Sequence, residues 1–150
     1  MTVGTLPPVL RSVVVGRPPE DAFRIFTERI GDWWPLGSHS VYEDESAGVA
    51  LAPGPGGRIV ERSRSGEECA WGEILLWEPP HRLAYTWHPG YEPGEPATEV
   101  ELRFTAVAGG TRVELEHRGW EALGGRAVRT REDYAEGWPR VLDRYAAAAA

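Results

Sequence analysis

The chain has no lysine, no asparagine and no glutamine, a single cysteine and a single methionine, and no apolar run long enough to cross a membrane. Each absence excludes something. Without lysine there is no Schiff-base nucleophile and no phosphate-loop ammonium. All 16 basic residues are arginines, and against 23 acids they leave a net charge of −7. Binding a phosphate backbone depends on clustered positive charge that releases counterions, so nucleic acid is not an expected partner. One cysteine, Cys69, cannot form an internal disulfide or a thiolate zinc site. Its flanks, Glu67 and Glu68, would raise its pKa, so it reads as a small strand residue. No basic leader with an apolar core opens the chain, and the expectation is a cytoplasmic protein without membrane insertion. Biased codon usage in a GC-rich bacterial genome explains the missing lysine and asparagine more simply than heat adaptation, because hyperthermophiles usually gain lysine.

What is present is a folded domain's composition. In 150 residues, 41% are hydrophobic and seven are tryptophans, enough to bury a sizeable core as one domain. Residues 10–15 are mostly apolar, with three consecutive β-branched valines, and predict a first strand ending at Gly16. Pro18, Pro19, Glu20 and Asp21 then suit a helix start, with acids at the positive dipole end. Phe23, Phe26 and Ile30 form its apolar stripe, and Gly31 is read as its end. Trp33 and Trp34 follow in a short turn or helical piece. Residues 37–57 read as loop with one short strand at 49–52. Strands are expected at 58–64, 70–77, 82–88, 98–107 and 111–117, with hairpin-length turns between them and a loop at 89–96. A final helix places Tyr134, Trp138, Val141, Leu142 and Tyr145 on one face. Pro139 should kink or restart it, and alanines 146–150 should fray. The order is strand, two helical pieces, about six strands in a meander, then a long helix, an α+β pattern.

Alternation assigns the inner face of the sheet. Val100, Leu102 and Phe104, then Val113, Leu115 and His117, then Leu83, Tyr85 and Trp87 share it. In the strand at 70–77 both faces are apolar, and Glu73 weakly favours Gly72, Ile74 and Leu76 inward. At 58–64, turning the arginines outward places Ile59, Glu61 and Ser63 inside. Glu61 and His117 are thus polar groups on an aromatic face, able to fix a ligand's polar end, to act as a proton-transfer pair, or to be satisfied by structural partners or by water at the sheet rim. Seven tryptophans exceed what a small core requires, and an aromatic-lined cavity would use the surplus.

Other constellations carry less. His39, His81, His88 and His117 show no metal spacing. Ser38, His39 and Ser40 set a hydroxyl beside a base, but sequence neighbours rarely adopt triad geometry and there is no GxSxG elbow. The Gly54-Pro55-Gly56-Gly57 stretch lacks the lysine and helix of a phosphate loop.

The run from Trp71 through Glu78-Pro79-Pro80-His81 to Trp87 resembles the strand–Pro-Pro–strand signature of the activator of heat-shock-protein-90 ATPase homologue family. That family belongs to the SRPBCC (START-like, birch-pollen-allergen-like) superfamily. The Pro-Glu-Asp-Ala-Phe helix start, Trp33-Trp34, Gly56-Gly57-Arg58, Gly110-Thr111-Arg112-Val113, His117-Arg118-Gly119-Trp120 and Gly137-Trp138 agree with it. The resemblance spans about residues 10–145. It implies a helix-grip fold: a curved antiparallel sheet of six to seven strands wrapped around a long C-terminal helix and an internal cavity. Relatives bind lipids, polyketides, hormones or other apolar molecules, and some catalyse cyclisation or hydrolysis.

The expected function is therefore binding of a small hydrophobic or aromatic ligand between sheet and helix. The residues expected to line the site are Trp33, Trp34, Glu61, Tyr85, Trp87, Leu102, Phe104, His117, Tyr134 and Trp138. Two alternatives stand beside it. One is a cyclase or dehydratase with Glu61 and His117 as base and acid. The other is an interaction module acting on a chaperone ATPase, although the eukaryotic protein that names the family has a second domain not present in these residues. No cofactor or metal is expected, and a homodimer is left open.

Overall fold

The computed structural model describes residues 6–89 and 95–150. Its elements follow the order expected from the sequence: β1 (Val9–Val15), α1 (Pro19–Glu28), α2 (Ile30–Trp33), β2 (Ser46–Leu51), β3 (Arg58–Ser63), β4 (Glu68–Glu78), β5 (Arg82–Trp87), β6 (Thr98–Val107), β7 (Gly110–Arg118) and α3 (Ala127–Ala148). Short 3-10 turns at Glu43–Glu45 and Trp120–Arg126 lead into β2 and α3. The seven strands make one antiparallel sheet in the order β1-β7-β6-β5-β4-β3-β2. The sheet curves around α3, and α1 and α2 close the core from the same side.

Period-two alternation decides which side chains the sheet buries. Leu83, Tyr85 and Trp87 of β5, Val100, Leu102 and Phe104 of β6, and Val113, Leu115 and His117 of β7 are all buried, as are Ile59, Glu61 and Ser63 of β3. Phe23 and Phe26 of α1 pack on Phe104. Tyr145 of α3 meets both Phe26 and Trp33, while its hydroxyl donates to the Ala22 carbonyl at 2.7 Å.

Four local expectations are corrected. In β4, register breaks opposite Ile59/Val60 and between Ile74 and Leu76 each let an extra residue into the strand. Trp71, Ile74 and Trp77 therefore face inward, with Trp71 against Trp87 and Trp77 against Phe23, while Leu76 pairs with Ala84 on the outer face. Gly31 does not end α1, which stops at Glu28. It sits inside α2, where a Cβ would lie 2.6 Å from the Val49 carbonyl oxygen, so its role is to let β2 approach. Pro139 does not interrupt α3. Proline lacks the N–H that would bond the Ala135 carbonyl, and Arg11 of β1 donates to that carbonyl instead, at 2.8 Å. The terminal alanines do not simply fray either: Ala149 is buried, and its N–H reaches the Tyr145 carbonyl.

One buried acid was not anticipated, because it points outward. Glu101 is on the outer face of β6, yet its side chain is only 4% exposed beneath Arg82, Arg103 and Arg118. Burial alone would raise its pKa, but hydrogen bonds from Arg118 and Arg82 and the charge of Arg103 outweigh that and hold it below the usual carboxylate range.

Candidate functional site

Between the β4–β5 side of the sheet, α3 and the segment after α2 lies a cavity of about 510 Å³, within the size range of small-molecule sites. Its apolar wall is Trp34, Trp71, Trp87, Tyr134 and Trp138. The four indoles touch one another, with Trp34 to Trp71 at 5.0 Å between ring centroids and Trp87 to both Trp71 and Trp138 at 5.6 Å. Tilted and edge-on pairs of this kind are favourable beyond the area they bury.

The polar groups expected in the site hold this wall in place. Trp138 Nε1 donates to His117 Nδ1 at 2.9 Å, and His117 Nε2 lies 2.6 Å from Thr98 Oγ1, which in turn lies 3.2 Å from the Trp87 carbonyl. An indole nitrogen can only donate and a carbonyl can only accept. The chain therefore runs one way: Trp138 to Nδ1, Nε2–H to Thr98, and the Thr98 hydroxyl to the carbonyl. Burial pushes the His117 pKa down to about 3, which agrees with a neutral ring in this single tautomer. Glu61 works in the same manner on the other wall. Its carboxylate accepts Trp71 Nε1 at 3.0 Å and the backbone N–H groups of Val41 and Tyr42 at 2.9 and 3.2 Å. It thus anchors one indole and ties the segment that covers the cavity to β3.

Four of the ten residues expected in the site, Trp34, Trp87, Tyr134 and Trp138, lie on the cavity wall. Glu61 and His117 stand behind it, each saturated by the fold. Tyr85 backs Trp87, at 5.6 Å between ring centroids. Trp33 is in the core, its Nε1 donating to the Ile25 carbonyl, and Leu102 and Phe104 are buried under the helices. Ten wall or rim residues escaped the sequence reading, among them Trp71, Ser38, His39, Thr130 and Asp133. Trp71 was hidden by the β4 bulge. Ser38 and His39 had been set aside as sequence neighbours, yet Ser38 Oγ lies 2.7 Å from His39 Nδ1. The His39 carbonyl also accepts Trp34 Nε1 at 2.7 Å. Burial, with Arg140 adding to it, lowers the His39 pKa. Among the described residues Trp87 Nε1 has no hydrogen-bond partner, and it is covered. Among the described residues no group of three or more His, Cys, Asp and Glu could hold a metal ion, and no helix is long and apolar enough to cross a membrane.

A seven-stranded curved sheet gripping one long helix around an aromatic cavity defines an α+β helix-grip domain of the SRPBCC type. The chain belongs to the family of Activator of Hsp90 ATPase homolog 1-like proteins, whose model matches residues 17–150. No curated protein matches the sequence. Among solved structures it is similar to Txn09, an anthrahydroquino-gamma-pyrone synthase in a complex with the ligand SUM, at 36% identity over 95% of this chain and 96% of that one, with a TM-score of 0.60. Protein NE0264 from Nitrosomonas europaea shares the fold at 18% identity, 93% and 92% coverage and a TM-score of 0.66. CalU16 from Micromonospora echinospora shares it at 23% identity, 91% and 70% coverage and a TM-score of 0.59.

Proposed function

We propose that the protein binds a flat, largely apolar aromatic molecule in the cavity between sheet and α3. The observation that carries this reading is the wall of four touching indoles and Tyr134 around about 510 Å³ of space. Stacked and edge-on aromatic surfaces suit a planar ring system better than a flexible acyl chain, which gains nothing from ring geometry. The similarity to a synthase whose product name contains a fused aromatic core supports the same ligand class. Titrating the purified protein with planar aromatics and with fatty acids, followed by tryptophan fluorescence, tests it. Saturable quenching by the aromatics alone is expected. Absence of quenching by any aromatic overturns it.

Ring closure on such a ligand is the second reading, favoured by the 36% identity to Txn09 along nearly the full length of both chains. The pair Glu61 and His117 does not serve it, because every strong acceptor and donor they present is already bonded within the fold. A chaperone-directed role has the family description alone behind it.

A further inference from the structure

Three of the four indole N–H groups at the cavity are committed to the fold, and that of Trp87 has no partner among the described residues but is covered. The N–H groups of Trp34, Trp71 and Trp138 each have an acceptor. Ser40 Oγ donates to the Leu36 carbonyl and accepts the Glu43 N–H. Asp133 is on the wall but exposed to water. His39 differs. Its Nδ1 is bonded to Ser38, whose Oγ also lies 3.5 Å from the Pro35 carbonyl. When the Ser38 hydroxyl donates to that carbonyl, Nδ1–H donates to Ser38 and Nε2 keeps its lone pair; when it donates to Nδ1 instead, Nε2 carries the proton. Nε2 has no hydrogen bond among the described residues, and it lies over Gly137, where a Cβ would come within 3.8 Å of it. A side chain longer than that at position 137 would cover the nitrogen, and α3 has none there.

We propose that His39 is the hydrogen-bond acceptor of this cavity and that the ligand is a phenol, a planar aromatic whose hydroxyl donates to His39 Nε2. This rests on the aromatic-cavity reading and narrows it. The lowered His39 pKa, from burial and from Arg140, keeps the imidazole neutral and able to accept near neutral pH. Ser38 acts on the ligand only through His39, as a positioning residue that selects the tautomer.

The test is a fluorescence titration with 2-naphthol and with 2-methoxynaphthalene, which share a ring system and differ in the hydroxyl proton. Wild-type protein is expected to bind the naphthol about tenfold more tightly. In His39→Phe the two affinities should come within about twofold, with that for the methyl ether retained. Ser38→Ala should keep a reduced preference. Equal wild-type affinities, or a preference that survives in His39→Phe, overturn the phenol assignment and leave the cavity reading standing. No quenching by either compound overturns both. Should His39→Phe fail to fold, the wild-type pair of affinities still decides.

Discussion

Trp138 donates from Nε1 to His117 Nδ1 across 2.9 Å, and both residues are buried. The bond joins the inner face of α3 to the last strand of the meander, and it requires an unprotonated Nδ1. A neutral histidine is thereby built into the core at the point where helix and sheet meet. It orients one indole of the cavity and, through Thr98, closes on the carbonyl of a second.

Acid should therefore weaken the fold through His117. Unfolded, the ring takes a proton as pH falls through 6.5, whereas in the folded state it resists until about 3. The unfolded chain thus binds more protons across that window, and stability falls as pH is lowered through it. The full contribution is on the order of 5 kcal/mol, present above pH 6.5 and lost toward pH 3. Glu101, held below its usual 4.5, adds a loss of the same sign at the acid end. Urea denaturation from pH 7 to pH 4 should show a falling midpoint. His117→Leu should be less stable at pH 7 and have a flatter profile. An unchanged slope in that variant would count against the assignment.

Glu61 carries three hydrogen bonds at the opposite wall. Glu61→Gln keeps the shape but weakens the acceptor and turns an amide donor toward donors. A loss of about 1–3 kcal/mol in urea denaturation is expected. Faster hydrogen exchange at the Val41 and Tyr42 amides should accompany it, because these are the groups the carboxylate holds.

Pro139 and Arg11 should be coupled. Arg11→Ala leaves the Ala135 carbonyl without the donor that proline also withholds, at a cost of about 1 kcal/mol. In a Pro139→Ala background the helix supplies its own N–H, and the same arginine substitution should cost close to nothing. A double-mutant cycle measures the difference. Additive effects would show that the guanidinium contributes nothing through Ala135.

Gly137 faces His39 at ordinary van der Waals distance even with a Cβ added, 3.6 Å to Cδ2. Gly137→Ala should therefore gain up to about 1 kcal/mol of helix propensity, seen as a thermal midpoint raised by about 2–4 °C. Gly137→Leu should extend over the cavity wall and weaken quenching by 2-naphthol at least about tenfold, with the fold retained by circular dichroism. Undiminished binding in the leucine variant would place the ligand elsewhere.

Much of the fold was legible in the order of residues because local chemistry agreed with it. Prolines and acids opened α1, and every residue that period-two alternation turned inward in β5, β6 and β7 is buried, although it missed Glu101, which is covered on the outer face. Glu61 and His117 were found inside by the same count. Their partners were not, since Val41, Tyr42, Trp71, Thr98 and Trp138 are 10 to 21 positions away in the chain. The misreading of β4 has a definite cause: each bulge adds one residue, and one residue inverts the face of everything after it.

The sequence by itself determined a lysine-free acidic chain with the order strand, two helical pieces, meander and long helix, and a surplus of tryptophans, because composition and periodicity act over a few neighbouring residues. Only the tertiary structure decided which tryptophans plug the core and which surround space. Trp33 and Trp34 are adjacent in the chain, yet one donates to the Ile25 carbonyl in the core and the other lines the cavity. The same holds for the polar groups. Whether Glu61 and His117 face a ligand or hold the wall depends on hydrogen-bond partners brought together by closure of the sheet on α3. With those bonds made, His39 Nε2 is left open at the cavity, while Trp87 Nε1 is covered.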